Sequence, residues 1–201
     1  MEHLFIKSNS GKQNTLILFH GSGGRETDLL EVSAMVDGTA NVLALRGDVD
    51  DEGQVRFFKR QGSGHNEESL RIEGEKIVGL LEQLFSEYGL DLEQAIYIGY
   101  SNGANMAAHL LLNHQLPVAG AILMHSAYKG QISEQANLLG RKVLLTAGAR
   151  DMIAPAGEAY QLKQKLEQKG ASTEVKLTDG GHEIVSEELM EGHVWYLKVK
   201  S

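Results

Sequence analysis

The stretch AIYIGYSNGANMAAHLLLNH, Ala95–His114, changes its hydrophobic period at a single point. Before Ser101 it is a short apolar run of strand length; after it, NGANMAAHLLLNH reads as a helix. At the change of period, Gly99-Tyr100-Ser101-Asn102-Gly103 matches G-x-S-x-G. A chain this rich in glycine meets that pattern by chance about 0.2 times, so the flanking strand and helix give the match its weight. A serine at a tight strand-to-helix turn is held in a strained conformation, with its hydroxyl presented above the sheet at a helix N-terminus. Glycines two residues before and after it remove side chains that would clash in such a turn. The plainer alternative is a Gly-Ser turn that only starts a helix.

Working outward, the same alternation recurs. Thr15–Phe19, Asn41–Leu45, Val118–Met124, Lys142–Ala147 and Thr173–Leu177 read as strands. Helical spacing marks Glu26–Val36, Glu67–Tyr88, Asn102–Asn113, Pro155–Lys169 and Ser186–Lys198. In Glu67–Tyr88 the stripe is Leu70, Ile77, Leu80, Leu81, Leu84 and Phe85. Continuous apolar strands separated by helices imply an α/β fold, a mostly parallel sheet covered on both faces. The one long segment without a pattern is Arg46–Asn66, a length that in a compact domain is usually functional or mobile.

Composition narrows the function. The chain has 201 residues, enough for one domain with a sizeable core, and one domain over 1–201 is expected. Glycine is high at 23 and proline low at 2, so the glycines serve particular backbone positions. With 19 basic and 27 acidic residues the net charge is −8, a poor match to nucleic acid or anionic membrane surfaces. The absence of cysteine removes disulfides, thiolate metal sites and a cysteine nucleophile, and suits a cytoplasmic location. The apolar run Leu4–Ile6 is too short for a signal peptide, and no apolar run is long enough to span a bilayer.

His20-Gly21-Ser22-Gly23-Gly24 follows the first strong strand. Such a turn can aim backbone N–H groups at a developing oxyanion, and the N–H groups of Ser22 and Asn102 are the expected donors. A phosphate-binding loop is the rival, but the segment continues Arg25-Glu26-Thr27 and lacks both the Gly-Lys-Ser/Thr ending and G-x-G-x-x-G. His20 reads as a structural residue that orients the turn.

If Ser101 is the nucleophile of this kind of fold, an Asp or Glu and then a His should follow it in the chain. Five histidines do: His109, His114, His125, His182 and His193. His182 sits in Asp179-Gly180-Gly181-His182, between the last strand and the last helix, where the base belongs. His125 ends a strand and stands where it can line the site. Asp151 follows the strand in KVLLTAGAR, at the carboxyl end where ligand-facing groups collect in open α/β sheets. Asp179 reads as a turn former, which leaves Asp151 as the orienting carboxylate.

HGSGG, GYSNGAN, GARD and GGH together resemble the α/β-hydrolase superfamily, and most closely its small carboxylesterase/phospholipase branch. That branch includes acyl-protein thioesterases and bacterial YahD- and MhqD-like serine hydrolases. The resemblance runs over nearly the whole chain and implies an α/β-hydrolase fold with no large cap domain. It places Ser101, Asp151 and His182 at the triad positions and Ser22 and Asn102 at the oxyanion donors. The segment from Leu45-Arg46-Gly47 to Arg56-Phe57-Phe58-Lys59-Arg60 looks like an insert of the bacterial group. Where many relatives read HGLGD or HGTGG, Ser22 adds a hydroxyl beside the expected hole.

The implied activity is hydrolysis of small or short-chain carboxylic esters or thioesters through an acyl-enzyme, without cofactor or metal. Phe57, Phe58, Tyr100, Met152 and Ile153 are the candidate pocket walls, with an ordinary core or rim position as the alternative for each; Arg46 is a candidate either to pair an acidic substrate group or to anchor the long loop onto its own acidic residues. The expected partner is a small ester, with no nucleic acid and no membrane insertion. A homodimer is a further candidate, through an exposed apolar strip near Trp195 and Leu197 on the last helix; the alternative is that this strip packs against the sheet. Alternatives are a non-catalytic binding protein of the same fold and a hydrolase of a lactone or lysophospholipid ester.

Overall fold

The strand-length runs are buried from end to end in the computed structural model: TLILF, NVLAL and GAILM expose no residue. Strands covered on both faces need apolar residues at consecutive positions, which is why these runs do not alternate. The structure describes residues 1–11, 13–62 and 64–200; Lys12, Ser63 and Ser201, which the expected domain over 1–201 includes, lie outside the described residues. In chain order the strands are β1 (His3–Ile6), β2 (Thr15–Phe19), β3 (Asn41–Leu45), β4 (Val49–Asp51), β5 (Gln54–Arg56), β6 (Arg60–Gln61), β7 (Gly64–His65), β8 (Ala95–Tyr100), β9 (Gly120–Met124), β10 (Lys142–Gly148) and β11 (Ser172–Thr178). The helices are α1 (Leu30–Asp37), α2 (Glu67–Tyr88), α3 (Asn102–Asn113), α4 (Ala156–Gln168) and α5 (Ser186–Lys200).

The main sheet has seven strands in the order β1-β3-β2-β8-β9-β10-β11. Only β1 is antiparallel, against β3; the other pairings are parallel. Successive side chains point to opposite faces, so each strand feeds two cores. Ile17, Phe19, Leu43 and Leu45 pack with residues of α2, α3 and α4 on one face. Leu16, Leu18, Val42 and Ala44 pack with residues of α1 and α5 on the other. This is the α/β-hydrolase architecture that the sequence implies, and the helices that follow β8, β10 and β11 leave the carboxyl ends of those strands clustered on one edge.

Helices α2 and α3 keep the bounds read from the sequence. Asn66 caps α2 by accepting the Ser69 N–H at 2.8 Å, and Gly89, with φ at 64°, closes it with its N–H on the carbonyls of Phe85 and Ser86. Helix α1 is shorter than expected. Residues 26–29 form turns, and the Asp28 carboxylate takes the Arg25 N–H at 3.0 Å, a local bond that competes with helix. Strand β1 is absent from the sequence reading because its apolar run is too short to carry a period; its order comes from pairing with β3.

The segment Arg46–Asn66 is not unpatterned. It folds into two small hairpins, β4 with β5 and β6 with β7. The first turns through Glu52 and Gly53 at φ of 57° and 79°, a two-residue connection whose twist suits paired strands. Of the two placements open for the strip near Trp195 and Leu197, Trp195 takes the one against the sheet, buried with Tyr196, while Leu197 is exposed with Met190 and Val194.

Helix α3 enters hard against the end of β2. A Cβ at Gly103 would stand 2.1 Å from the Phe19 carbonyl oxygen and 2.4 Å from that of His20. Backbone on both sides leaves nothing to yield. Gly103→Ala is therefore expected to cost more than about 2 kcal/mol of stability. Gly79→Ala, at an exposed α2 position with nothing within 4 Å, should stabilise by about 0.5–1 kcal/mol. Urea unfolding midpoints of the two variants check the contrast.

Candidate active site

Ser101 stands between β8 and α3 with φ at 52° and ψ at −114°. A non-glycine residue held at positive φ stores strain, and here it is over-determined by neighbours. The Ser101 N–H donates to the Met124 carbonyl at 2.9 Å, and its carbonyl accepts the Asn105 N–H at 3.0 Å. A Cβ at Gly99 would lie 2.7 Å from the Ala104 Cα, so the turn closes only around glycine. Strand β9 and helix α3 thus clamp the serine, and its hydroxyl faces the carboxyl edge of the sheet.

His182 Nε2 lies 2.9 Å from Ser101 Oγ, and His182 Nδ1 lies 2.7 Å from Asp151 Oδ2. The two loops that supply these groups are in contact. A Cβ at Gly148 would sit 2.1 Å from the Gly181 carbonyl oxygen, and the Arg150 N–H donates to Gly180 at 2.9 Å. The Tyr100 hydroxyl donates to the His182 carbonyl and holds the histidine loop from below. Asp151 Oδ1 accepts the N–H groups of Ile153 and Ala154, each at 2.8 Å. Burial opposes the carboxylate's charge. The Ala154 N–H, His182, His125 and the Ile153 N–H outweigh it and hold the Asp151 carboxyl below its ordinary range.

Ser22 and Asn102 line the same cavity as Ser101. Asn102 is the first residue of α3, where backbone N–H groups have no partner within the helix. In the β2 turn, Gly23 and Gly24 donate to Val55 and Gly21. The Ser22 hydroxyl accepts from Arg56 Nη1 at 2.5 Å, and Asn102 Oδ1 accepts the Phe57 N–H at 2.8 Å. Both bonds come from the hairpin segment, which therefore braces the turn and the helix start together. His20 does the same from the other side, with Nδ1 on the Gly21 carbonyl and Nε2 accepting the Gly47 N–H.

The cavity above Ser101 measures about 570 Å³. Phe58, Tyr100, Met152 and Ile153 line it, and Met152 and Ile153 are 90% and 72% exposed. Phe57 does not line it; the ring is buried against Phe19 and His20. Arg46 lies apart, beside a second cavity, paired with Glu2 at 2.7 Å and near Glu26 at 3.9 Å. Sequence reasoning passed over Arg56, Lys129 and Glu158, which also line the main cavity, because charges at the end of a short strand, in a loop and in the first turn of a helix carry no distinguishing pattern.

The largest omission is behind Asp151. His125 Nδ1 lies 2.9 Å from the same Asp151 Oδ2, and His125 Nε2 reaches the Glu188 carboxylate at 3.1 Å. His125 carries a visible signal, ending the strand beside the elbow; Glu188 on α5 carries none. Burial works against the His125 charge, but Glu188 and Asp151 together raise its pKa, while His125 holds the buried Glu188 down. Among the described residues, His125, Asp151 and His182 are also the set whose ligand atoms converge within 4.8 Å. Their contacts of 2.7 and 2.9 Å are shorter than the roughly 3.3 Å between neighbouring ligands of a tetrahedral zinc site, and match N–H···O bonds.

A phospholipase/carboxylesterase family model matches residues 58–195. MhqD of Bacillus subtilis (strain 168), which is named as a hydrolase, is 34% identical over 197 residues, covering 98% of this chain and 98% of its own. The crystal structure of the Bacillus cereus carboxylesterase matches with a TM-score of 0.95 at 36% identity, covering 99% of this chain and 94% of its own. YahD, solved with malic acid, matches with a TM-score of 0.92 at 28% identity, covering 98% of each chain.

The buried charges link stability to pH. Asp151 and Glu188 have lowered folded values, so their contribution is present above the unfolded carboxyl value near 4 and is lost as pH falls through the folded values. His125 has a raised folded value, so its contribution is full below the unfolded value of about 6.5 and is lost as pH rises through the higher folded value. The melting midpoint of the wild type minus that of His125→Gln should therefore peak between about pH 4.5 and 6.5 and shrink on both sides. Calorimetry from pH 3 to 9 measures it; a difference that does not vary with pH contradicts the assignment.

Proposed function

The chain belongs to the phospholipase/carboxylesterase family, and on that premise we propose that it cleaves small or short-chain carboxylic esters or thioesters with Ser101 as nucleophile. That it is a hydrolase of the carboxylesterase/phospholipase kind follows from the family itself. The observation that carries the finer reading is the continuous contact from Ser101 Oγ to His182 Nε2 at 2.9 Å and from His182 Nδ1 to Asp151 Oδ2 at 2.7 Å.

In this reading Ser101 Oγ attacks the acyl carbonyl as His182 Nε2 takes its proton. The carbonyl oxygen gains negative charge, and the N–H groups of Ser22 and Asn102 receive it. His182 then returns the proton to the departing alcohol or thiol, leaving the acyl group on Ser101. Water attacks that ester in the second half, with His182 again as base, and releases the acid. Asp151 keeps His182 Nδ1 protonated, so Nε2 faces the serine as an acceptor. An imidazolium formed in either half lies against a buried carboxylate that is already held by backbone N–H groups, so little has to reorganise.

A cavity of about 570 Å³ with Phe58, Met152 and Ile153 on its walls supports small substrates with a short apolar part. No helix among the described residues is long and apolar enough to cross a membrane. The lack of cysteine supports a reducing compartment such as the cytoplasm. We take the chain as one domain acting on a small-molecule ester.

Ser101→Ala should lower kcat on p-nitrophenyl acetate by about 10⁴-fold or more while leaving the melting midpoint within a few degrees. A fluorophosphonate probe should label Ser101 in the wild type and nothing in the variant. In a panel of p-nitrophenyl esters and matching thioesters, kcat/KM should fall as the acyl chain outgrows the cavity. Wild-type turnover by Ser101→Ala would defeat the assignment.

A further inference from the structure

His125 and Glu188 are not used by the mechanism above, yet each is only 1% exposed and they sit directly behind its carboxylate. Both nitrogens of His125 face carboxylate oxygen: Nδ1 lies 2.9 Å from Asp151 Oδ2, and Nε2 lies 3.1 and 3.2 Å from the two oxygens of Glu188. A neutral imidazole has one donor and one acceptor nitrogen; with both carboxyls held below their ordinary range and so ionised, the doubly protonated ring is the form that satisfies both partners. Glu188 is itself fixed, accepting the Val185 N–H at 2.9 Å. His125 is held at φ of 53°, a conformation that a histidine adopts against strain. The bond from its N–H to the Thr146 carbonyl, at 2.9 Å, ties it to β10 in that pose.

The orientation of the pair decides its effect. Asp151 Oδ2 receives N–H bonds from His182 and His125 together, and the two rings stand 5.3 Å apart at 70°. Glu188 lies on the opposite nitrogen of His125, farther from His182. The positive end of the pair therefore points at the imidazole that must accept the serine proton. The titratable groups facing His125 are Asp151, Glu188, His182 and, with its ring centroid 5.7 Å away, Tyr100; Glu183 adds a negative charge across the histidine loop.

We propose that His125 and Glu188 are positioning residues for the hydrolysis, a buried imidazolium–carboxylate pair that fixes Asp151 from behind and biases His182 toward its neutral, proton-accepting form. The proposal rests on the Ser101–His182–Asp151 reading. A lone carboxylate favours the charged form of an imidazole bonded to it. A positive charge beyond Asp151 offsets that preference while leaving the hydrogen bond in place.

Glu188→Gln removes the counter-ion and lets His125 become neutral; His125→Gln removes the positive charge directly. Both should move the acid limb of the kcat/KM–pH profile upward by about one pH unit, a loss of about tenfold at pH values below the wild-type limb. On the alkaline plateau kcat/KM should stay within about fivefold of wild type, and fluorophosphonate labelling of Ser101 should persist. Glu187→Gln, at the exposed neighbouring position of α5, should leave the profile unmoved. A merely structural role would lower kcat/KM at every pH without moving the limb, and that outcome, or a limb moved downward, overturns the proposal. Should neither variant fold, ¹⁵N spectra of histidine-labelled wild type decide it: one imidazole with both nitrogens protonated at pH 7 supports the pair, and its absence overturns it. Turnover by Ser101→Ala would instead defeat the triad reading, so the two failures are distinct.

Discussion

The approach of helix α3 to the carbonyl oxygens of Phe19 and His20 admits only glycine at 103, and the arrangement of the carboxyl edge follows from that contact. It brings the start of α3 against the turn after β2, so Asn102 and Ser22 share one cavity with Ser101. It also forces the chain to reverse within the residues around Ser101, at the cost of positive φ on a serine. The strain persists because Met124 and Asn105 hold the Ser101 backbone on both sides. A looser entry would let the serine relax to an ordinary helix start and withdraw its hydroxyl from His182.

Charge burial is the second organising constraint. Isolated, any of Asp151, His125 or Glu188 would be too costly to ionise at these depths. Together they alternate in sign; the N–H groups of Ile153 and Ala154 satisfy the other Asp151 oxygen, and the Val185 N–H adds a bond to Glu188 Oε2. Removing one member leaves another unpaired, which makes the group a unit rather than a sum of bonds. The unit spans the loops after β9 and β10 and the last helix, α5, and so couples His182 to parts of the chain distant in sequence.

The hairpins of Arg46–Asn66 act as a brace. Arg56 reaches Ser22 and Asp51, and the Phe57 N–H reaches Asn102, so the segment grips both halves of the expected oxyanion site. Its sequence is mostly polar, with glycines at 47, 53, 62 and 64, and its strands are two or three residues long. Such strands bury too little for a hydrophobic period to show, and their order comes from contacts made elsewhere. For the same reason Arg46 and Phe57, equal candidates to Phe58 in the sequence, end in different surroundings: an ion pair with Glu2, and the core.

The sequence by itself determined the parallel strands of the sheet and the helices that cover them, because buried parallel strands and amphipathic helices must write their burial into local hydrophobic order. It also singled out Ser101, Asp151 and His182 as candidates, each following a strand, because topology gathers ligand-facing groups at the carboxyl edge. Tertiary structure alone decided which imidazoles reach Asp151, that Glu188 closes the chain of charges behind it, and which residues of 46–66 meet the cavity. Those outcomes depend on distances of about 3 Å between groups tens of residues apart, and no local pattern in a sequence records them.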